Sequence, residues 1–561
     1  MKRFLILLLA LAPLAAQAQP KNLKQAQKSL LTLHALQPEG DTLRSAAFFL
    51  DEHGTLAAPY KPLRRARQAW AEDERGTRYP VTHVAGFSST YNAVRLLTDT
   101  GKKKTPCLPP ATAPLSAGQP LYRATPAPAE DIQKVEKAGP HAYYTLASAA
   151  APALEGSPLL NTAGQVAAML QTPLSTPKAT NYALDIAFIQ TLKISAMDAN
   201  HPDLQACAIP KLLPSEEQQA QSFLYLHRGD PAQHLAYIRA FITAHPQNAA
   251  GYVLLAETHA NQGAAADARN QGDEARKAYA EAQAAWQQAL KAPVTAPDEV
   301  YYARALVVYT LALQRPNLPE GWSLEQALDD IRQARKLKEM PVYTLHEGRI
   351  LFARKQYAEA ETKFLSLTQT NMRSADLFLY AAQCRESLGA RPEELLALND
   401  SAMACFAKPY PAEAANHLWV RAQTLKTLER HREALGDLND YERLLLGRLT
   451  DLFYYERAQL AARTRLLPQA LLDIQKAIDL NPREALYHTE QGSLLIRAGE
   501  VDAAIAACRK AIDLNPELPD AHRILGVCLR EKGDKAEAQS HLKRAAELGD
   551  PMAQDILQKM Q

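Results

Sequence analysis

A serine between two turn-forming residues, Gly156-Ser157-Pro158, is a place where a nucleophile could sit. A serine attacks only if a base within reach takes its proton and a third group orients that base. His83 and His141 are isolated in the sequence and His53 falls in a turn, so no base is apparent. Thr100-Gly101-Lys102-Lys103-Lys104-Thr105 has one glycine and no helix after it, and reads as a solvated basic turn rather than a phosphate loop. No His-Glu-x-x-His and no paired Cys-x-x-Cys occur, so neither a metal site nor a cofactor is expected. Arg228-Gly229-Asp230 spells the adhesion tripeptide, but turn chemistry explains Gly229 better. Six cysteines are few for a chain of 561 residues, so no disulfide framework is implied. Cys508 and Cys528 could pair from neighbouring helices, but buried free thiols are the expected state.

The elements that must position such groups announce themselves by a period. Ala-Ile-Asp-Leu-Asn-Pro stands at 477–482 and again at 511–516, an offset of 34 residues. At that offset Gly492, Leu495, Gly499 and Ala504 answer Gly526, Leu529, Gly533 and Ala538. A repeat of this length is one helix–turn–helix unit, which buries its apolar face only by stacking on neighbours. Gly492 and Ala504 leave room where two helices cross, Gly499 suits a left-handed turn, and Pro516 stops the second helix. Residues 483–548 resemble the tetratricopeptide repeat. Weaker copies lie upstream: Ala470, Ile474, Ala477 and Pro482; Ala434, Leu438 and Tyr441; Gly348, Leu351, Tyr357, Ala360 and Phe364; and Gly229, Ile238, Phe241 and Pro246 in a unit beginning near Ser215. A long second helix is expected between Gly263 and Pro293. The reading is eight or nine helix pairs in a solenoid over 215–561, closed by a capping helix after Leu548-Gly549-Asp550-Pro551.

The front of the chain has another texture. Lys2 and Arg3, the apolar run Phe4 to Leu14 and the small residues of Ala16-Gln17-Ala18 make residues 1–18 a secretory signal peptide. The run is too short to span a membrane, and no cysteine follows the cleavage site to carry a lipid. A periplasmic or secreted location is expected. Lysine and arginine number 63 against 61 acidic residues, and the signs balance once Lys2 and Arg3 are removed. A neutral chain lacks the basic field that nucleic acid needs. From 27 to 178, short apolar runs alternate with turn glycines: Ser29 to Ala35, Ala46 to Leu50, Tyr79 to Val84, Val94 to Leu97 and Leu121 to Arg123. That pattern predicts a β domain over 19–178. A helical linker over 179–214, with a helix from Tyr182 to Leu192, would join it to the repeats.

Within the β domain, the stretch Ser45-Ala46-Ala47-Phe48-Phe49-Leu50-Asp51-Glu52-His53-Gly54 resembles the strand and turn before the histidine of bacterial trypsin-like serine peptidases. Leu115 to Tyr122 resembles the opening of their second barrel, and Gly156 to Val166 the strand–turn–strand after their nucleophile. The resemblance implies a chymotrypsin-like barrel domain, so the whole is a multidomain α+β chain, barrels followed by an all-α tetratricopeptide-repeat solenoid. It also locates three catalytic slots. The histidine slot falls at Lys61, the aspartate slot at Asn92 and the nucleophile slot at Glu155, while the glycine two residues before the nucleophile is Ala153. Lysine, asparagine and glutamate cannot replace base, orienting acid and nucleophile, so the domain is expected to be an inactive peptidase. The opposite charges of Lys61 and Glu155 suggest an approach to salt-bridge or one-water distance across the cleft; the alternative is that Tyr60 fills the slot and both charges point to water.

The function expected is non-catalytic scaffolding or peptide capture in a bacterial envelope, with a protein or peptide partner. The inner face of the repeat first helices, at Thr489 and Ser493, is the candidate binding surface. Thr489, Ser493 and Val527 occupy slots where some tetratricopeptide proteins clamp a terminal carboxylate with lysine and asparagine, so that clamp is not expected. A secreted serine-type peptidase with a non-standard triad is the alternative. Binding of glycan or cell wall is weaker, since clustered exposed aromatics are missing from the sequence pattern.

Overall fold

The computed structural model describes residues 20, 22–124, 129–138, 141–147, 154–172, 181–227, 229–292, 296–315, 317–446 and 449–560. The expected leader over 1–18, Ala153 and Arg228 lie outside them. The chain forms two compact units, 1–296 and 297–561.

The first unit opens with helix α1 (Leu23–Ser29) and then builds two closed barrels. Strands β1 (Leu30–Leu36), β2 (Thr42–Phe49), β3 (Thr55–Ala58), β4 (Gln68–Glu72), β5 (Arg78–Ser88) and β6 (Ala93–Thr98) close in the order β1-β2-β3-β6-β5-β4. Strands β7 (Pro120–Arg123), β8 (Glu130–Ala138), β9 (His141–Leu146), β10 (Pro158–Leu160), β11 (Val166–Gln171) and β12 (Tyr182–Asp185) close in the order β10-β11-β12-β9-β8-β7. Read around the ring in reverse, the second order is the first, so one antiparallel topology is used twice. The five apolar runs singled out in the sequence fall on strands, apart from Ser29, which ends α1, and Leu50, which follows β2.

Periodicity explains the two faces. Along β9, Ala142, Tyr144 and Leu146 point into the second core and their neighbours are half-buried. Strand β11 is buried along its whole length because it serves two cores. Ala168 and Leu170 fill the second barrel, while Val166 and Met169 join Phe48, Ala57 and Ala93 in the seam between barrels.

The expected helix over Tyr182 to Leu192 is corrected. Its first four residues are β12, paired with β11 and β9, and only Ile186–Thr191 is helical (α2). Asp185 ends the strand and caps the helix, its carboxylate accepting from Ala187 N–H at 3.0 Å. The β domain therefore extends beyond 178. After α3 (Pro202–Ala206) come α4 (Glu217–Leu226) with α5 (Pro231–Ala244) and α6 (Ala249–Ala268) with α7 (Gly272–Lys291). Phe223, Ile238 and Phe241 share one core with Leu33, Phe49 and Leu96 of the first barrel. The long second helix expected between Gly263 and Pro293 is α7, and Gly263 itself belongs to the helix before it. It lies inside α6 against the Tyr279 ring, which a Cβ would approach to 2.6 Å, and the turn falls at Asn270 with φ +59°.

In the second unit, the described residues form seven helix pairs: α8 (Pro297–Gln314) with α9 (Leu324–Leu337), α10 (Pro341–Ala353) with α11 (Tyr357–Leu367), α12 (Ala375–Ser387) with α13 (Pro392–Met403), α14 (Ala415–Thr427) with α15 (His431–Leu445), α16 (Asp451–Arg463) with α17 (Leu467–Leu480), α18 (Ala485–Arg497) with α19 (Val501–Leu514), and α20 (Pro519–Lys532) with α21 (Lys535–Glu547). The capping helix is α22 (Pro551–Gln558). Crossing glycines do what their spacing predicted. A Cβ on Gly526 would meet Leu542 at 2.7 Å, one on Gly348 would meet Phe364 at 2.8 Å, and one on Gly492 would run into Cys508 Sγ. Gly499 and Gly533 turn with φ of +83° and +91°, but the same turn elsewhere is made by Lys355, Glu429 and Arg465 at +62°, +55° and +65°. Cys508 and Cys528 are buried free thiols, pushed up to about 12 and about 11 chiefly by burial.

Candidate functional site

The three slots inferred from the sequence converge, and Asn92 holds them together. Its side-chain oxygen accepts from the Lys61 backbone N–H at 2.7 Å, and its side-chain amide donates to Glu155 Oε1 at 3.0 Å. Its own carbonyl accepts from Tyr60 N–H at 3.3 Å. Asn92 can reach both ways because it turns with φ +43°, a conformation asparagine tolerates better than most residues. Glu155 is fixed from behind, where its carbonyl accepts from Ala46 N–H at 3.1 Å on β2. Next to it, Gly156 has φ +92° and leaves no space for a Cβ beside Ala46 O and Pro59.

The direct salt bridge between Lys61 and Glu155 does not form. No ion pair within 4 Å joins them, and the Lys61 side chain is exposed. Lys61 begins a single 3-10 turn, Lys61–Leu63, whose first N–H is taken by Asn92, and its ammonium is left to water, where an ion of that kind is best solvated. The interior position beside it belongs to Tyr60, which is buried against Phe87 at 5.2 Å between ring centroids, with its phenol pushed up by burial.

Partners that the sequence gave no reason to single out complete the floor. Tyr143 donates to Gln171 Oε1 at 3.0 Å, and the Gln171 amide donates to the Tyr91 carbonyl, tying β9 and β11 to the residue before Asn92. Ser157 is 3% exposed, and its hydroxyl has no hydrogen-bond partner. It lines, with Leu154, Ala124, Ser45 and Thr32, a cavity of about 680 Å³. None of the three histidines considered for a triad reaches it: His53 is exposed, His83 is half-buried and lowered by desolvation, and His141 faces Thr191 Oγ1 at 3.4 Å. As an arrangement of atoms, the site is an amide cross-linking a backbone N–H to a carboxylate.

In the repeats, Thr489 is buried and its hydroxyl donates to the Ala485 carbonyl at 3.0 Å, so it is not free on a binding face. Ser493 is half-buried. The sequence reading also missed charged staples between paired helices. Arg421 on α14 grips Asp437 on α15 with bonds of 2.8 and 2.6 Å, and Arg457 on α16 grips Asp473 on α17 at the same two distances. Arg457 and Asp473 are 3% and 0% exposed. The recurrence of arginine and aspartate at one separation was the available signal.

Fold and site together define a two-barrel domain followed by a tetratricopeptide-repeat solenoid. Residues 455–519 and 489–553 each match the family model of the tetratricopeptide repeat. No curated protein matches the chain. Among solved structures it is similar to YrrB, a TPR protein with an unusual peptide-binding site, at 21% identity over 35% of this chain and 97% of that one, TM-score 0.30. It is similar to MamA from Desulfovibrio magneticus RS-1 at 21% identity over 31% and 94%, TM-score 0.28. A protease from M. tuberculosis in its active form is similar at 15% identity over 31% and 86%, TM-score 0.26. Among the described residues, no helix is long and apolar enough to cross a membrane.

Proposed function

We propose that this chain is a non-catalytic interaction scaffold of the bacterial envelope, whose repeats bind a protein or peptide and whose barrels are kept for their shape. The observation that carries the reading is the bridge at Asn92. Where a peptidase would need base, acid and nucleophile, the side chains are an exposed lysine, an amide and a carboxylate. An ionised carboxylate only accepts hydrogen bonds and would repel a developing oxyanion. Stacked helix pairs support the binding half, because they present a continuous row of first helices. Residues 1–18 support export.

Two experiments test it. The purified chain and Glu155→Ser should neither cleave casein nor be labelled by a serine-reactive phosphonate, because the base and its orienting acid are missing as well. Turnover by either would overturn the inert-barrel reading. A photo-crosslinking residue at Tyr309 or Tyr455, on first helices, should capture envelope proteins that the same residue at Lys336 or Gln475, on second helices, does not. Equal capture from both sets would remove the solenoid face from the proposal.

A further inference from the structure

The arginines around the staples are matched with acids: Arg304 with Asp330, Arg335 with Glu347, Arg385 with Glu361, Arg421 with Asp437 and Arg457 with Asp473. Arg349 is different. It stands half-buried on α10, and no carboxylate pairs with it within 4 Å among the described residues. Its Nε is buried without a partner. The guanidinium lies 5.5 Å from the centroid of the Tyr380 ring on α12, and one terminal nitrogen is 3.5 Å from the Tyr380 hydroxyl.

The setting is built rather than incidental. Gly348, the crossing glycine, lets Phe364 press against α10; Phe364 then stacks on Tyr380 at 5.0 Å; and Tyr380 carries Arg349. On the other side His346 touches Tyr302 of α8, with ring centroids 5.4 Å apart. Arg349 also acts electrostatically on the phenols of Tyr302 and Tyr309, both raised by burial and both eased by its charge. Burial and then Arg349 push His346 down to about 4, so it is neutral at ordinary pH and adds no second cation. Tyr380 on α12 thus packs directly on a guanidinium that no carboxylate pairs among the described residues, and Tyr302 on α8 flanks it through His346.

We propose that Arg349, with Tyr380 and Tyr302, forms a site for a single oxyanion carried by a peptide, its preferred source a glutamate or aspartate side chain. The inference rests on the peptide-binding reading above and gives it a chemistry. A planar guanidinium offers two parallel donors to a carboxylate, and the phenols add donors and an aromatic face. It differs from the lysine–asparagine clamp for a chain terminus, which the sequence lacks at Thr489, Ser493 and Val527.

The test uses the full chain and fluorescence anisotropy with four labelled 12-residue peptides. One alternates glutamate and alanine with blocked ends; a second replaces every glutamate by glutamine; a third is the second with a free carboxyl terminus; a fourth is the second with one phosphoserine. The glutamate peptide should bind and the blocked glutamine peptide should not. Arg349→Ala should weaken glutamate-peptide binding about 10- to 100-fold, the worth of a hydrogen bond to a charged group. Arg349→Lys should recover part of it. If Arg349→Ala lowers the melting midpoint, Arg349→Met, which keeps the apolar stem, replaces it. Preference for the third or fourth peptide would overturn the side-chain source. Equal binding of the first two, or binding indifferent to position 349, would overturn the site. No binding of any of the four would do so too, while crosslinking at Tyr455, far along the chain from Arg349, would still judge the wider reading separately.

Discussion

The barrels and the repeats use the same small residue for opposite ends. In the barrels, Gly156 is needed by the backbone: its φ is +92°, and a Cβ would strike the carbonyl oxygen of Ala46, which cannot swing away. In the repeats, Gly348, Gly492 and Gly526 lie within helices, and the nearest atoms they face are side chains, Phe364, Cys508 and Leu542, that can shift, with main-chain oxygens farther off at 3.4 Å from Gly492 and 3.1 Å from Gly526. The barrel site is a set of long-range backbone constraints met at one point. The solenoid is a local rule applied many times. Damage should therefore be total in one region and graded in the other.

The largest effect expected is Gly156→Val. Strain at a forbidden φ and overpacking against main chain, about 1–3 kcal/mol each, add to about 2–6 kcal/mol, and main chain that cannot give way puts this substitution at the upper end, where the first unit should fail to fold. Soluble expression with a native near-ultraviolet spectrum would show that the barrels are as forgiving as the repeats. Next is Asp473→Ala, which strands Arg457 in a site where it is 3% exposed and should cost roughly 3–5 kcal/mol in urea unfolding. A loss under about 1 kcal/mol would mean that Glu442, which also bonds Arg457, carries the pair alone. Gly492→Leu should cost about 1–3 kcal/mol, with Cys508 giving way. An unchanged midpoint would break the register assigned to that repeat. The smallest change is a gain: Lys355→Gly should stabilise by about 0.5–1 kcal/mol, because a left-handed residue with a Cβ is strained and glycine is not. A loss would show that the Lys355 side chain makes up for its backbone.

What could be read from the sequence divides along the same line. The period, the crossing glycines and the turn at Gly499 follow from local spacing, and they hold. The three slots also converge, since strand order carried them. What failed depended on partners far away in the chain. Tyr182–Asp185 is a strand because β9 and β11 pair with it, which no local pattern announces beside the helix at Ile186. The direct Lys61–Glu155 bridge is absent because Asn92 stands between the two, its oxygen taken by the Lys61 backbone and its amide by Glu155. The long second helix expected between Gly263 and Pro293 is α7, and Asn270 makes the bend before it.

The turn residues carry one more consequence, for how the second unit comes apart. The inter-helix bends at Lys355, Glu429 and Arg465 hold strained side-chain-bearing residues, while Gly389, Gly499, Gly533 and Gly549 bend without strain. A stack whose members touch only neighbours opens where its links are weakest. Amide exchange should therefore run fastest around α10–α11 and α14–α17 and slowest from α18 to α22. The C-terminal end would be the last part to let go and the first able to template the refolding of the rest.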